Sequence, residues 1–173
     1  TEFYRRKFIE GDLPAYKLTV KPHFVAPDPL PRESGAGDYA LYIGRLEAVK
    51  GVRVLLAAWD QPGVIPLKIR GEGPLTGEVG ARAASLEAVE IIGRLSPEAL
   101  IQLIKGARFL VWPSLGYYET FGLVAIEAFA CGVPVIASRT GVMAEIVTDG
   151  VTGLHLTPGD PADLAAKVRW AWD

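Results

Sequence analysis

Apolar positions along the chain fall into short runs separated by amphipathic stretches. Tyr39–Ile43 is such a run and predicts a buried strand. Residues 67–70, 89–92, 108–112, 133–137 and 153–156 read as further strands. Gly51–Trp59 predicts a helix, and Gly71-Glu72-Gly73-Pro74 ends the second strand. A polar, Ala-rich stretch leads on to the third strand. Ser96-Pro97-Glu98 opens a helix, because Ser suits the N-cap, Pro the first turn and Glu the positive end. Gly106 reads as its C′ glycine. A helix over 121–131 is closed by Gly132, Glu145 lies in a short helix ending near Gly150, and Gly159-Asp160-Pro161 opens a last helix. Leu164, Val168 and Trp172 line one face of that helix.

Strands apolar on both faces, alternating with helices, form βαβ units. The expected fold is α/β, with a doubly wound, mostly parallel six-stranded sheet of Rossmann-like type and right-handed crossovers. Ligands bind such sheets beyond the carboxyl ends of the strands.

The first residues differ from the rest. Residues 1–20 read as a short amphipathic helix, with Phe3, Phe8 and Ile9 apolar, broken at Gly11-Asp12-Leu13-Pro14. Residues 21–38 carry Pro22, Pro27, Pro29 and Pro31 followed by Glu33-Ser34-Gly35-Ala36-Gly37-Asp38. Proline keeps such a segment extended, so a linker is expected there and a domain over 39–173.

Composition narrows the function. Half of the 173 residues are hydrophobic and 22% are charged, as in a folded domain. The net charge of -2 argues against a nucleic-acid partner, which calls for a basic excess. A single cysteine excludes an internal disulfide and a multi-cysteine metal site. Mean hydropathy is +0.23, yet no apolar stretch reaches the roughly 18 residues of a membrane span. No apolar segment follows Thr1–Lys7, so no signal peptide and a cytoplasmic location are expected. The chain begins without Met and stops inside a helical pattern, as a piece of a larger protein would.

Polar and small residues collect at the strand ends. Gly44-Arg45-Leu46 follows the first strand, Gly71-Glu72-Gly73 the second, and Gly93-Arg94 the third. Residues 114–119 follow the fourth, and Ser138-Arg139-Thr140-Gly141 the fifth. Loops are polar in general, so the set carries more weight than any one member. Arg45 and Lys50 bracket the start of the first helix after the linker. Together they match the charge of a diphosphate, Arg through planar contacts and Lys as a point charge. The alternative is a pair of surface cations.

Glu119 through Gly132 is the most informative segment. Between Phe121 and Cys131 the only charge is Glu127, and a helix apolar all round is expected to be buried. A buried carboxylate is costly unless it accepts hydrogen bonds, and ribose hydroxyls would serve as donors. Glu119 lies about 12 Å from Glu127 along the helix axis at roughly 1.5 Å per residue. Between them are the first free amides of the helix, an anion site. A nucleotide-sugar, with hydroxyls at each end and phosphate in the middle, has that layout. The alternative pairs Glu127 with a neighbouring arginine and leaves Glu119 in solvent.

Other candidates are weaker. Gly71-Glu72-Gly73 is followed by Gly77, one residue late for a dinucleotide fingerprint, and follows the wrong strand. No Gly-Lys-Ser/Thr phosphate loop is present. His23 and His155 have no ligand-spaced partners, and no Asp-x-Asp pair suggests a metal. Cys131 reads as a core residue, and Trp170 and Trp172 as packing residues, with a missing partner as one candidate for what they pack against.

At these motifs the sequence resembles the C-terminal, donor-binding domain of retaining glycosyltransferases with the GT-B fold, family four, also called glycosyltransferases group 1. The carrying residues are Tyr42-Ile43-Gly44-Arg45-Leu46 with Lys50-Gly51, Gly71-Glu72-Gly73-Pro74 and Pro113-Ser114. The Glu-x7-Glu motif from Glu119 to Glu127 and its continuation through Val135 follow. Gly141, Glu145, Asp149-Gly150 and Gly153 complete the set. Coverage runs from about residue 39 to the end, and the opening segment resembles the last helix of the family's N-terminal domain.

The resemblance implies roles. Arg45 and Lys50 would hold the donor diphosphate, Glu127 the ribose hydroxyls and Glu119 the hydroxyls of the transferred sugar. Gly44 and the backbone of Thr120, Phe121, Gly122 and Leu123 would touch sugar and phosphate, and the Arg94-Leu95 loop the nucleobase. It implies transfer of a hexose with retention to a glycan, lipid or other acceptor, without cofactor or metal. It also implies that the acceptor-binding N-terminal domain is missing, that this chain alone transfers little, and that any peripheral membrane association runs through the missing part. A nucleotide-sugar epimerase and a non-catalytic nucleotide-binding module are the alternatives. A glycan phosphorylase would need a pyridoxal-phosphate lysine, for which no candidate is seen. Val142 replaces a common second glycine, Val49 an acidic residue before Lys50, and His23 an Asn.

Overall fold

A computed structural model describes residues 1–33, 35, 37–60, 65–116 and 119–173. Ser34 and Ala36 of the expected linker, and Tyr117 and Tyr118 after the fourth strand, lie outside the described residues. The strands are β1 (Tyr39–Ile43), β2 (Leu67–Arg70), β3 (Val89–Ile92), β4 (Ala107–Trp112), β5 (Val135–Ser138) and β6 (Gly153–Leu156). All pair in parallel in the order β3-β2-β1-β4-β5-β6. The order reverses between β1 and β4, so the crevice of this doubly wound sheet opens past their carboxyl ends.

Both faces of the sheet are covered, and the period-two alternation of the strands assigns each residue to a face. Ala40, Tyr42, Phe109, Val111 and Ile136 join one core cluster. Leu41, Ile43, Leu110, Trp112, Val135 and Ala137 join the other. Helices α2 (Val52–Trp59), α3 (Thr76–Ala83) and α7 (Pro161–Trp172) contribute to the first cluster. Helices α4 (Pro97–Lys105), α5 (Leu123–Ala130) and α6 (Met143–Ile146) contribute to the second. Each fully buried aliphatic side chain contributes about 1.5–3 kcal/mol of transfer free energy.

The polar, Ala-rich stretch before β3 is helix α3. Its buried residues are Val79 and Ala83, one turn apart, a stripe too narrow to stand out by pattern. Ser96 caps α4 by accepting from the Ala99 N–H at 3.2 Å, and Asp160 caps α7. Gly106 departs from expectation. It is the C-cap rather than C′, with φ at -76°, outside the left-handed region. Its missing side chain makes room for Tyr39 instead, whose Oη would lie 2.5 Å from a Cβ there. That hydroxyl donates to the Leu103 carbonyl at 2.8 Å.

The amphipathic N-terminal helix is α1 (Glu2–Glu10), and none of its residues is buried. Phe3 and Tyr4 pack on the second core cluster. Its amino end is tied down by Glu145 of α6, whose carboxylate accepts from the N–H groups of Glu2 at 2.9 Å and Phe3 at 2.7 Å. Residues 18–33 contain neither helix nor strand, as the prolines predict.

Candidate functional site

The loop after β1 carries Gly44 and Arg45. The Gly44 N–H donates to the Arg70 carbonyl at 3.1 Å and the Leu46 N–H to the Glu72 carbonyl at 3.0 Å. These bonds extend the β1–β2 ladder beyond the strand ends and explain Gly71-Glu72-Gly73 as a structural clasp. The buried Tyr42 hydroxyl donates to the Arg45 carbonyl at 2.9 Å. Burial, with help from Glu47, holds that phenol well above its ordinary pKa, so it remains a donor. The Arg45 guanidinium is 67% exposed, with Nε 3.6 Å from Glu47.

Lys50 ends a 3-10 turn, Ala48–Lys50, just ahead of α2. The loop after β4 grips this turn: Ser114 Oγ donates to the Val49 carbonyl at 3.1 Å and the Leu115 N–H to the same oxygen at 2.8 Å. Gly51 makes the approach feasible. Its φ is +71°, and a Cβ there would fall 1.8 Å from the Pro113 carbonyl oxygen. The Lys50 ammonium is thereby delivered to the Glu119 carboxylate, with which it forms an ion pair through Oε2. The same ammonium lies 5.6 Å from the centre of the Trp112 ring, within cation–π range.

Glu119 stands at the entrance to α5. Its Oε1 accepts a long bond, 3.4 Å, from the Gly122 N–H. Gly122 has φ +74°, and a Cβ would fall 2.2 Å from Met143 Cε. That left-handed residue delays the helix to Leu123, two residues later than the apolar pattern suggests. Among the described residues, the Leu123 and Val124 N–H groups have no acceptor, as expected of a first helical turn. Thr120 is exposed, and the Phe121 ring meets His23 at 3.8 Å between centroids.

Helix α5 is not buried all round. Ala125 and Ala128 are its buried residues, and Leu123 is exposed. Glu127 is accordingly half-buried. Desolvation still raises its pKa above the ordinary carboxylate value. No arginine pairs with it: among the described residues its carboxylate makes no hydrogen bond or salt bridge.

A cavity of about 210 Å³ joins several of these residues, lined by Tyr42, Gly44, Arg45, Lys50, Trp112 and Glu119 among others. Four candidates from distant segments thus meet: Gly44, Arg45, Lys50 and Glu119. Glu127, farther along α5, is not among the residues that line it. Arg94 stands apart after β3, exposed and forked onto Glu72 at 3.0 and 2.9 Å, while Leu95 packs against the core. By sequence pattern Trp112 is only the last residue of a strand. Its place at the carboxyl end of β4, beside the reversal of strand order, is the signal that marks it. Among the described residues no three His, Cys, Asp or Glu side chains converge as a metal site would require.

Residues 31–173 match the family model for glycosyl transferases group 1. The chain belongs to this family. Glycogen synthase of Mycobacterium tuberculosis is 40% identical to it over 141 residues, 77% of this chain and 33% of that protein. D-rhamnosyltransferase WbpZ of Pseudomonas aeruginosa is 33% identical over 145 residues, 82% of this chain and 38% of that protein. The chain therefore spans little more than a third of these curated relatives. Anabaena Alr3699/HepE, in a crystal structure with UDP and glucose, superposes with a TM-score of 0.78 at 22% identity over 98% of this chain and 51% of that one. The likeness shows the Rossmann-like half of a GT-B fold for this chain. Among the described residues no helix is long and apolar enough to cross a membrane.

Proposed function

We propose that this chain is the donor-binding half of a retaining glycosyltransferase that takes a hexose from a nucleoside diphosphate sugar. Residues 39–173 form the donor domain, 21–38 the linker and 1–20 the end of the acceptor domain. The observation that carries the reading is the convergence of Arg45, Lys50 and Glu119 on one crevice beside the unsatisfied amides of α5. The two cations and the amides of Leu123 and Val124 suit a diphosphate. Glu119 suits the hydroxyls of the transferred sugar. Glu127, half-buried and with no hydrogen-bond partner for its carboxylate among the described residues, suits the ribose. Gly44 and the backbone of Thr120, Phe121 and Gly122 border the sugar, and the Arg94-Leu95 loop borders the base. Complexes of Anabaena Alr3699/HepE with UDP and with UDP-glucose support a donor of this class.

Departure of the diphosphate builds negative charge on its bridging oxygen. Preorganised cations and helix amides stabilise that charge without reorganising, as oxyanion donors do. The acceptor is bound by the remainder of a longer protein. A thermal-shift panel of UDP, GDP and ADP with their sugars tests the reading. A ligand at 100 times its Kd adds about 2.7 kcal/mol of stability. Silence across the whole panel would refute donor binding by this chain.

A further inference from the structure

Lys50 and Glu119 serve different parts of the proposed donor, yet in the structure they are bound to each other. The pair is mostly shielded from water, with side-chain exposures of 23% and 19%. Water therefore screens it less than a surface pair. The Trp112 ring supports the ammonium independently, so the cation's position does not depend on Glu119 alone. A phosphate oxygen and the Glu119 carboxylate are the same kind of partner for Lys50, and they repel one another across a shared cation.

We propose that Glu119 makes the site discriminate between a nucleotide-sugar and the bare nucleoside diphosphate left after transfer. The inference rests on the donor-site reading above. When a sugar is present, its hydroxyls donate to Glu119 and draw the carboxylate's charge away from Lys50. The ammonium is then available to the phosphate. A bare diphosphate offers Glu119 no such donors, so the carboxylate stays on Lys50 and competes with the phosphate for it. The product is held more weakly than the donor, and the competing acid is built into the site.

Calorimetric titration of the chain and of Glu119→Gln with UDP, GDP, ADP and their glucose conjugates tests this. Gln retains the oxygen that faces the Gly122 N–H and removes the charge. For the diphosphate that binds, the variant is expected to gain about five-fold in affinity, the upper range for an incompletely buried ion pair. The matching nucleotide-sugar is expected to lose about ten-fold, because a charged acceptor becomes neutral. In a Lys50→Ala background the gain for the diphosphate disappears, since the two residues act as one unit. Glu119→Ser carries the same expectation if the Gln variant folds poorly. Equal or weaker diphosphate binding by the variants, with the parent chain binding normally, overturns the inference and leaves the donor reading intact. An equal gain for diphosphate and nucleotide-sugar also overturns it. No binding of any nucleotide by the parent chain overturns the donor reading, and the inference with it.

Discussion

The Lys50 ammonium and the Glu119 carboxylate are joined across 69 residues of sequence, one on the turn after β1 and the other on the loop after β4. The contact exists because β1 and β4 are neighbours in the sheet and because Gly51 lets the two loops touch. It brings the cationic and acidic halves of the proposed donor site into one crevice.

Arg45 should matter to the diphosphate and little to the fold. Its guanidinium is largely exposed, and its nearest anion is Glu47 at 3.6 Å. Arg45→Ala is expected to weaken nucleoside-diphosphate binding by roughly 1.5–3 kcal/mol, the range for a hydrogen bond to a charged group. Thermal stability should stay within about 0.5 kcal/mol of the parent, as for most surface substitutions. Calorimetry and thermal unfolding of the same sample separate the two effects.

Gly122 is the opposite case. A side chain there is strained by φ +74° and collides with Met143. Gly122→Ala is expected to cost roughly 1–3 kcal/mol of stability and to displace the Glu119 carboxylate from the entrance of α5. Urea unfolding measures the first effect and nucleotide titration the second. Parent-like stability would show that the tight approach to Met143 is easily relieved.

Glu127 links pH to both stability and binding. Its folded pKa is raised by desolvation, so the folded state holds its proton to higher pH than the unfolded chain does. Its contribution to stability is therefore more favourable below the unfolded pKa and declines as pH rises through the folded one. Glu127→Gln should be more stable than the parent at neutral pH, and the difference should vanish in acid. Nucleotide binding by the parent should weaken as acid protonates the carboxylate, whereas the variant binds weakly throughout. Unfolding and titration from pH 4 to pH 8 follow both trends.

Glu145 holds α1 by accepting two N–H groups at its amino end. Glu145→Ala is expected to destabilise that helix by about 1 kcal/mol, as removal of an N-cap does. Hydrogen exchange should rise in residues 2–10 while the sheet remains protected. Uniformly faster exchange would instead mean that Glu145 supports the whole fold.

Much of this architecture is legible locally. Four of the six strands, β1, β2, β3 and β6, have the bounds that the apolar runs predict, while β4 begins one residue earlier and β5 lies two residues later at its start and one at its end. Such runs need only a period and a breaker to be seen. Helix α3 escaped because two buried residues, Val79 and Ala83, are too few to establish a stripe. Helix α5 is less buried than its apolar composition predicts, because composition does not say which neighbours are present to cover it. Charge and spacing point to Arg45, Lys50, Glu119 and Glu127, and the resemblance to group 1 glycosyltransferases adds roles and further candidates, but no local pattern could show Lys50 bound to Glu119 or Trp112 beneath the ammonium.

The sequence by itself determined where the strands lie and how α4 and α7 are opened, because each depends on near neighbours and backbone sterics. Tertiary structure decided which loop ends meet, how far Glu127 is shielded and where Glu145 finds its partners. Those outcomes depend on strand order and helix packing, which join segments that have no contact along the chain.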